Sequence, residues 1–171
     1  MTGDTFEASV TDMMQTLYRV TCSQLSVEAD REDAVQEALR RAWEKKDSLI
    51  NDSFFRTWII RILLNVCHDI QREKQRMIPA ASVPEPPPGP ETPSVDLKEC
   101  LLRLDERERT PILLYYLEGY DIREIASILR IPQGTVKSRL NRGRRQLQSI
   151  CREDVFESGK KRKISGRPSG R

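Results

Sequence analysis

Residues 77–94, MIPAASVPEPPPGPETPS, hold seven of the chain's ten prolines. Each proline removes a backbone donor and pushes the residue before it out of the helical region. Such a stretch can be neither a helix nor a central strand. Extended at roughly 3 Å per residue, it could span about 50 Å. Whatever this chain folds into must therefore be built on either side of a tether. The expected division is a first unit over 1–76, a linker over 77–95, a second unit over 96–152 and a basic, unstructured tail over 153–171.

Both flanks carry helical spacing, so the expected fold class is all-α, two small helical domains. In REDAVQEALRRAWEKK the apolar positions Val35, Ala38, Leu39, Ala42 and Trp43 recur on one face. The opposite face carries Asp33, Gln36, Glu37, Arg40, Arg41 and Glu44. An earlier helix is expected over Phe6–Leu25, and DSLINDS (Asp47–Ser53) makes a polar break. Beyond it, Trp58, Ile59, Ile62, Leu63, Val66 and Ile70 define one broad apolar face. Trp58 begins that stripe and is expected in the core, whereas Phe54 and Phe55 just ahead of it suit either a buried or an exposed place.

The second unit reads as four short helices. Val95–Leu104 is the first and Glu106–Leu117 the second, with Pro111 placed near its first turn and Gly119 as a left-handed cap. Asp121 followed three residues later by Glu124 has capping-box spacing, and Ile122, Ile125, Ala126, Ile128 and Leu129 supply the apolar positions. Arg130 and Ile131 make a turn, Pro132 suits a first helical position, and the last helix runs on from there.

Charge placement matters more than the total. The chain carries 29 basic and 26 acidic side chains, yet GKKRKISGRPSGR (159–171) alone holds six of the basic ones and no acid. The remainder is mildly acidic. The longest strongly apolar run, Trp58 to Leu64, is interrupted by Arg61 and falls far short of the roughly 20 residues of a membrane span. MTGDTFEASV lacks a basic region of the secretory kind, so a cytoplasmic protein without membrane insertion is expected. Cys22, Cys67, Cys100 and Cys151 lie far apart and are expected as unconnected thiols, with no metal site and no cofactor. Cys67 and His68 are neighbours, which on a helix points them apart and argues against a nucleophile–base pair; no catalytic residue is expected.

The chemistry concentrates at the end of the second unit. Two helices joined by a tight turn, the second rich in Arg and Lys, fit a helix-turn-helix. Val136, Leu140, Gly143 and Leu147 form one narrow buried stripe, and five basic residues without an acid lie between Lys137 and Arg145. Arginine and asparagine off that stripe can donate to phosphates or pair with purine edges in the major groove.

DIREIASILRIPQGTVKSRLNRGRRQL resembles region 4 of bacterial RNA polymerase sigma factors. REDAVQEALRRAW, then DSFFRTWIIRILLN, then Asp69 to Arg72 as D-x-x-R, resemble region 2 of the same family. Two matches in order on either side of a linker resemble the extracytoplasmic-function (ECF) group of the sigma-70 family. The resemblance implies a non-enzymatic factor that binds core RNA polymerase, directs promoter recognition and helps melt the DNA.

Residue by residue, the resemblance implies that Asp33, Gln36, Glu37, Arg40 and Arg41 meet polymerase. Asn51, Asp52, Ser53 and Phe54, with Arg56, Arg61, Asn65, Arg72, Lys74 and Arg76, would hold the melted minus-ten element. Lys137, Ser138, Arg139, Asn141, Arg142, Arg144 and Arg145 would meet the minus-thirty-five element. An anti-sigma factor is a further implied partner. Two departures stand out: Leu49 and Ile50 replace an aromatic or basic residue common in the family, and Arg31 replaces a commoner alanine. The alternative reading is a free-standing helix-turn-helix regulator that acts without polymerase.

Overall fold

The computed structural model describes residues 1–77 and 97–164, and every regular element among them is helical. In the first unit, α1 is Gly3–Gln24, α2 Glu28–Lys45 and α3 Phe55–Met77. Thr2 caps α1 by accepting from the Thr5 amide at 3.3 Å. The helices pack as a three-helix group around Leu17, Val20, Ile59 and Leu63, all fully buried. Helix α2 presents Ala34, Ala38 and Ala42 inward, three small side chains that let its backbone sit close to its neighbours. Asp47–Ser53 is the expected break, with short 3-10 turns at Lys46–Ser48 and Asp52–Phe54.

Trp43 departs from expectation. It is 46% exposed, at the rim rather than in the core. The alanines already fill the inner face of α2, and the indole instead meets Phe6 edge-on at 5.2 Å, with the Lys46 ammonium 4.9 Å from its ring centre. Phe55 is buried, Phe54 exposed and Trp58 half-buried. Arg31 has a structural use: its Nε and Nη2 donate to the carbonyls of Leu25 (2.8 Å) and Ser26 (3.1 Å), fastening the turn between α1 and α2.

In the second unit, α4 is Leu97–Leu102, α5 Glu106–Ile112, α6 Ile122–Leu129 and α7 Gln133–Ile164. Pro111 lies inside α5 rather than at its first turn. Proline lacks an N–H and crowds the carbonyl four residues back. A π-turn, Leu113–Leu117, follows directly, with the Glu118 amide donating to the Leu113 carbonyl at 3.1 Å. Gly119 then adopts φ +70°, the left-handed geometry expected of it. The capping box forms as read: Glu124 N donates to Asp121 Oδ1 and Asp121 N to Glu124 Oε2, both at 2.8 Å. Helix α7 extends to Ile164, past the expected onset of the unstructured tail. Between Gln146 and Ser158 no glycine or proline stops it. Met77, the expected first linker residue, ends α3, while residues 78–96 and residues 165–171 of the tail lie outside the described residues.

The two units are packed together. Helix α3 is the shared element: besides its first stripe it buries Ile60, Leu64 and Cys67, a second stripe at helical spacing. Leu64 lines a cavity with Leu129 of α6 and Pro111 of α5.

Candidate nucleic-acid interface

The helix-turn-helix turns on Arg130, whose φ of +55° makes it a left-handed cap without glycine. The Ile131 amide donates to the Ala126 carbonyl at 3.1 Å, and the Val136 amide to the Pro132 carbonyl at 3.1 Å, which starts α7. Val136, Leu140 and Gly143 are buried and Leu147 half-buried, so the predicted stripe faces the rest of the unit. Lys137, Ser138, Asn141, Arg142, Arg144 and Arg145 are exposed. Arg144 hydrogen-bonds Asn141 along the helix, and Arg142 Nη1 donates to Glu108 Oε1 at 2.9 Å. Arg139 is half-buried and lines the cavity shared with His68 and Glu106, apart from the exposed group.

On α3, Arg61, Asn65, Arg72 and Arg76 fall on one stripe by helical spacing, while Arg56 and Lys74 lie off it. Lys74 pairs with Asp30 of α2. Asn51, Asp52, Ser53 and Phe54 are exposed just ahead of the helix, and Asn51 Oδ1 accepts from the Ser53 amide at 2.9 Å, which holds that loop in a tight turn. Two of these arginines are engaged by the second unit. Arg56 Nη2 donates to the Glu118 carbonyl at 3.2 Å, and its guanidinium lies 4.8 Å from the Tyr120 ring centre. Arg61 Nη2 donates to both the carbonyl and the hydroxyl of Ser127, each at 2.7 Å. Burial, with Arg130 nearby, lowers the pKa of Arg61.

The same junction carries a buried carboxylate. Glu118 receives Arg19 Nε at 2.5 Å, Arg19 Nη2 at 2.9 Å and Thr16 Oγ1 at 2.7 Å, all from α1. Burial pushes the Glu118 pKa upward, but the hydrogen bonds from Arg19 and Thr16 outweigh it and hold the carboxyl below its ordinary value. Gln24 donates to Thr110 at 2.9 Å, and Arg109 Nη1 to the Ser23 carbonyl at 2.6 Å. His68 meets Glu106 at 2.9 Å. Burial raises the Cys67 thiol to about 12, leaving it protonated and unreactive at neutral pH.

The α2 face is open. Glu37 accepts from Arg40 Nη2 at 2.7 Å and from Arg41 Nε at 2.6 Å, which pull its carboxyl down to about 2. Arg40 also reaches Glu44 at 2.5 Å, and Arg41 reaches Asp69 of α3 at 3.2 Å. Asp33 and Gln36 are exposed beside them. The five residues predicted for this face thus share one surface.

One surface escaped the sequence reading. Tyr18 of α1, Leu102 of α4, and Tyr115, Tyr116 and Leu117 of the π-turn are exposed apolar side chains. Tyr18, Leu102 and Leu117, with Cys22 and Leu113, line a cleft of about 360 Å³ between the units. The signal was available in LLYYL, an apolar run wider than one helical face needs.

Residues 9–77 match the Sigma-70 region 2 family, and residues 94–147 match Sigma-70 region 4. The ECF RNA polymerase sigma factor SigW of Bacillus subtilis is 29% identical over 169 residues, spanning 88% of this chain and 90% of that protein. The ECF RNA polymerase sigma factor EcfG of Rhodopseudomonas palustris is 31% identical, with 78% of each chain covered. Among solved structures, the sigma factor RpoE of Bartonella quintana, in complex with the anti-sigma factor NepR, superposes with a TM-score of 0.72 at 28% identity. That match spans 86% of this chain and 96% of RpoE. With both Sigma-70 regions in order and an exposed basic helix in the second, this chain belongs to the ECF group of the sigma-70 family.

Proposed function

We propose that this sigma factor docks on core RNA polymerase through the outer face of α2, with Asp33, Gln36, Glu37, Arg40 and Arg41 as the contact set. The exposed apolar surface at Tyr115, Tyr116 and Leu117 is a second docking surface, since contiguous exposed apolar groups mark protein-binding sites. The loop Asn51–Phe54 and the α3 stripe of Arg61, Asn65, Arg72 and Arg76 hold the melted minus-ten strand, joined by Arg56 and Lys74. Lys137, Ser138, Asn141, Arg142, Arg144 and Arg145 meet the minus-thirty-five duplex, and Arg139 lies at the edge of that surface. The carrying observation is the exposed, single-signed cluster of α7 on the same chain as a Sigma-70 region 2 match.

Contacts by Arg56 and Arg61 with the second unit require the units to part before α3 can take a DNA strand. An anti-sigma partner is proposed by analogy with the RpoE complex, and cytoplasmic action follows from the need for core polymerase. Run-off transcription with purified core polymerase tests the whole reading. Initiation from a selected promoter only when this protein is added is the expected result. Sequence-specific binding by the protein alone, with no effect on initiation, would instead establish a free-standing regulator.

A further inference from the structure

Glu108 stands in the first turn of α5 with only 4% of its side chain exposed. A carboxylate at a dry position costs stability unless it is paired, and an apolar side chain of similar volume packs such a site equally well or better. Its ion-pair partner is Arg142, from Nη1 to Oε1 at 2.9 Å. The reach is made possible by the neighbouring residue. A Cβ on Gly143 would lie 2.8 Å from Ile112 Cγ1 and 3.4 Å from Glu108 Cβ, so α7 approaches α5 at a distance only glycine permits.

Arg142 nevertheless keeps 64% of its side chain in solvent. Its guanidinium is pinned at one nitrogen and open at the others. Because the five donors share one rigid plane, fixing one aims the rest. The carboxylate also cancels the arginine's charge as sensed by a distant phosphate.

We propose that Glu108 is a specificity-determining positioning residue, which converts Arg142 from a general phosphate-attracting cation into an aimed donor toward a base edge of the minus-thirty-five element. This rests on the reading of α7 as the surface that meets that DNA. Directed arginine contacts discriminate between bases, whereas free cations add sequence-independent, salt-sensitive affinity.

The test uses the full chain with core polymerase, on a selected promoter and on the same DNA with its minus-thirty-five element scrambled, across a salt series. Glu108→Gln keeps an acceptor and removes the charge. It should strengthen binding to the scrambled DNA, steepen the salt dependence by up to about 0.9 in log–log slope and lower the promoter preference roughly 5-fold or more. Arg142→Lys, which keeps the charge and loses the planar fork, should lower the preference with the slope unchanged. Arg142→Ala should lower the preference and flatten the salt dependence, because it leaves the Glu108 charge unpaired beside the DNA. If Arg142→Ala lowers the preference while Glu108→Gln alters neither preference nor slope, the proposal is overturned and the α7 reading stands. If Arg142→Ala changes nothing, the placement of Arg142 on the DNA surface falls, and the proposal with it. Native helical content and cooperative unfolding retained by every variant separate these outcomes from misfolding, the midpoint of Arg142→Ala alone being expected to fall because Glu108 is left unpaired.

Discussion

The two surfaces proposed for promoter DNA differ in how the fold presents them. On α7 the basic side chains stand in solvent, and Arg139, which lines the cavity with His68, lies at the flank. On α3 the loop Asn51–Phe54 is open, but Arg56 and Arg61 donate to backbone carbonyls of the other unit. The junction that covers them joins hydrogen bonds and charge to the apolar stripe of Ile60, Leu64 and Cys67, which belongs to one continuous core with the second unit. One surface is thus available at once, and the other only after a separation. On opening, water can replace the hydrogen bonds, whereas the apolar stripe exposed has no such compensation and sets the cost of separation.

The largest effect on this contrast is expected from Glu118→Ala. It removes the acceptor of three hydrogen bonds from α1, and the loss of a buried charge-assisted set costs about 2–3 kcal/mol of the pairing between units. A dye pair on α2 and α7 should report greater separation, and binding of minus-ten single strand should rise while minus-thirty-five duplex binding holds. No change in dye separation would mean that Glu118 does not hold the junction.

Gly143→Ala should act on the opposite side of the contrast. The new methyl would press on Ile112, and overpacking of this kind costs about 1–3 kcal/mol. Thermal unfolding should fall and duplex binding by α7 weaken, with the α3 surface unaltered. Equal losses on both surfaces would show that the two are mechanically joined.

The smallest effect is the dependence of the junction on pH. The hydrogen bond that His68 donates to Glu106 raises His68 above its ordinary 6.5, so this contribution is full below about that pH and fades as pH rises through the raised value. The same bond lowers Glu106 below its ordinary 4.5, so its contribution is full above that pH and is lost as pH falls through the lowered value. The pair therefore supports the junction best between 4.5 and 6.5. Both groups are about half exposed, which limits the gain to under about 1 kcal/mol. Dye separation measured from pH 5.5 to 8.5 should increase slightly toward alkali, and His68→Gln should flatten the curve.

Local features were legible in the sequence and distant pairings were not. Asp121 and Glu124 meet within one helical turn, as do the stripe residues Val136 and Leu140, so spacing alone identifies them. Glu108, set in ERERTP, reads as a surface acid; its partner lies 34 residues away. Ile60, Leu64 and Cys67 broke the amphipathic pattern of α3 because that helix is covered on two sides, one of them by the second unit. Arg31 looked like an unfavourable departure from the family until its donors were seen to close a turn. Trp43 was assigned by its apolar position, whereas three alanines had already filled the space it was expected to take.

The carboxylate of Glu37 bears on the cost of recruitment. It holds the guanidinium groups of both Arg40 and Arg41 in defined orientations on an open surface. Immobilising a long side chain on association ordinarily costs about 0.5–1.5 kcal/mol. Here much of that ordering is done before any partner arrives, so the docking surface proposed on α2 would present a preset pattern of charge. Affinity lost by Glu37→Gln would then reflect two arginines set free to wander as much as one missing negative charge.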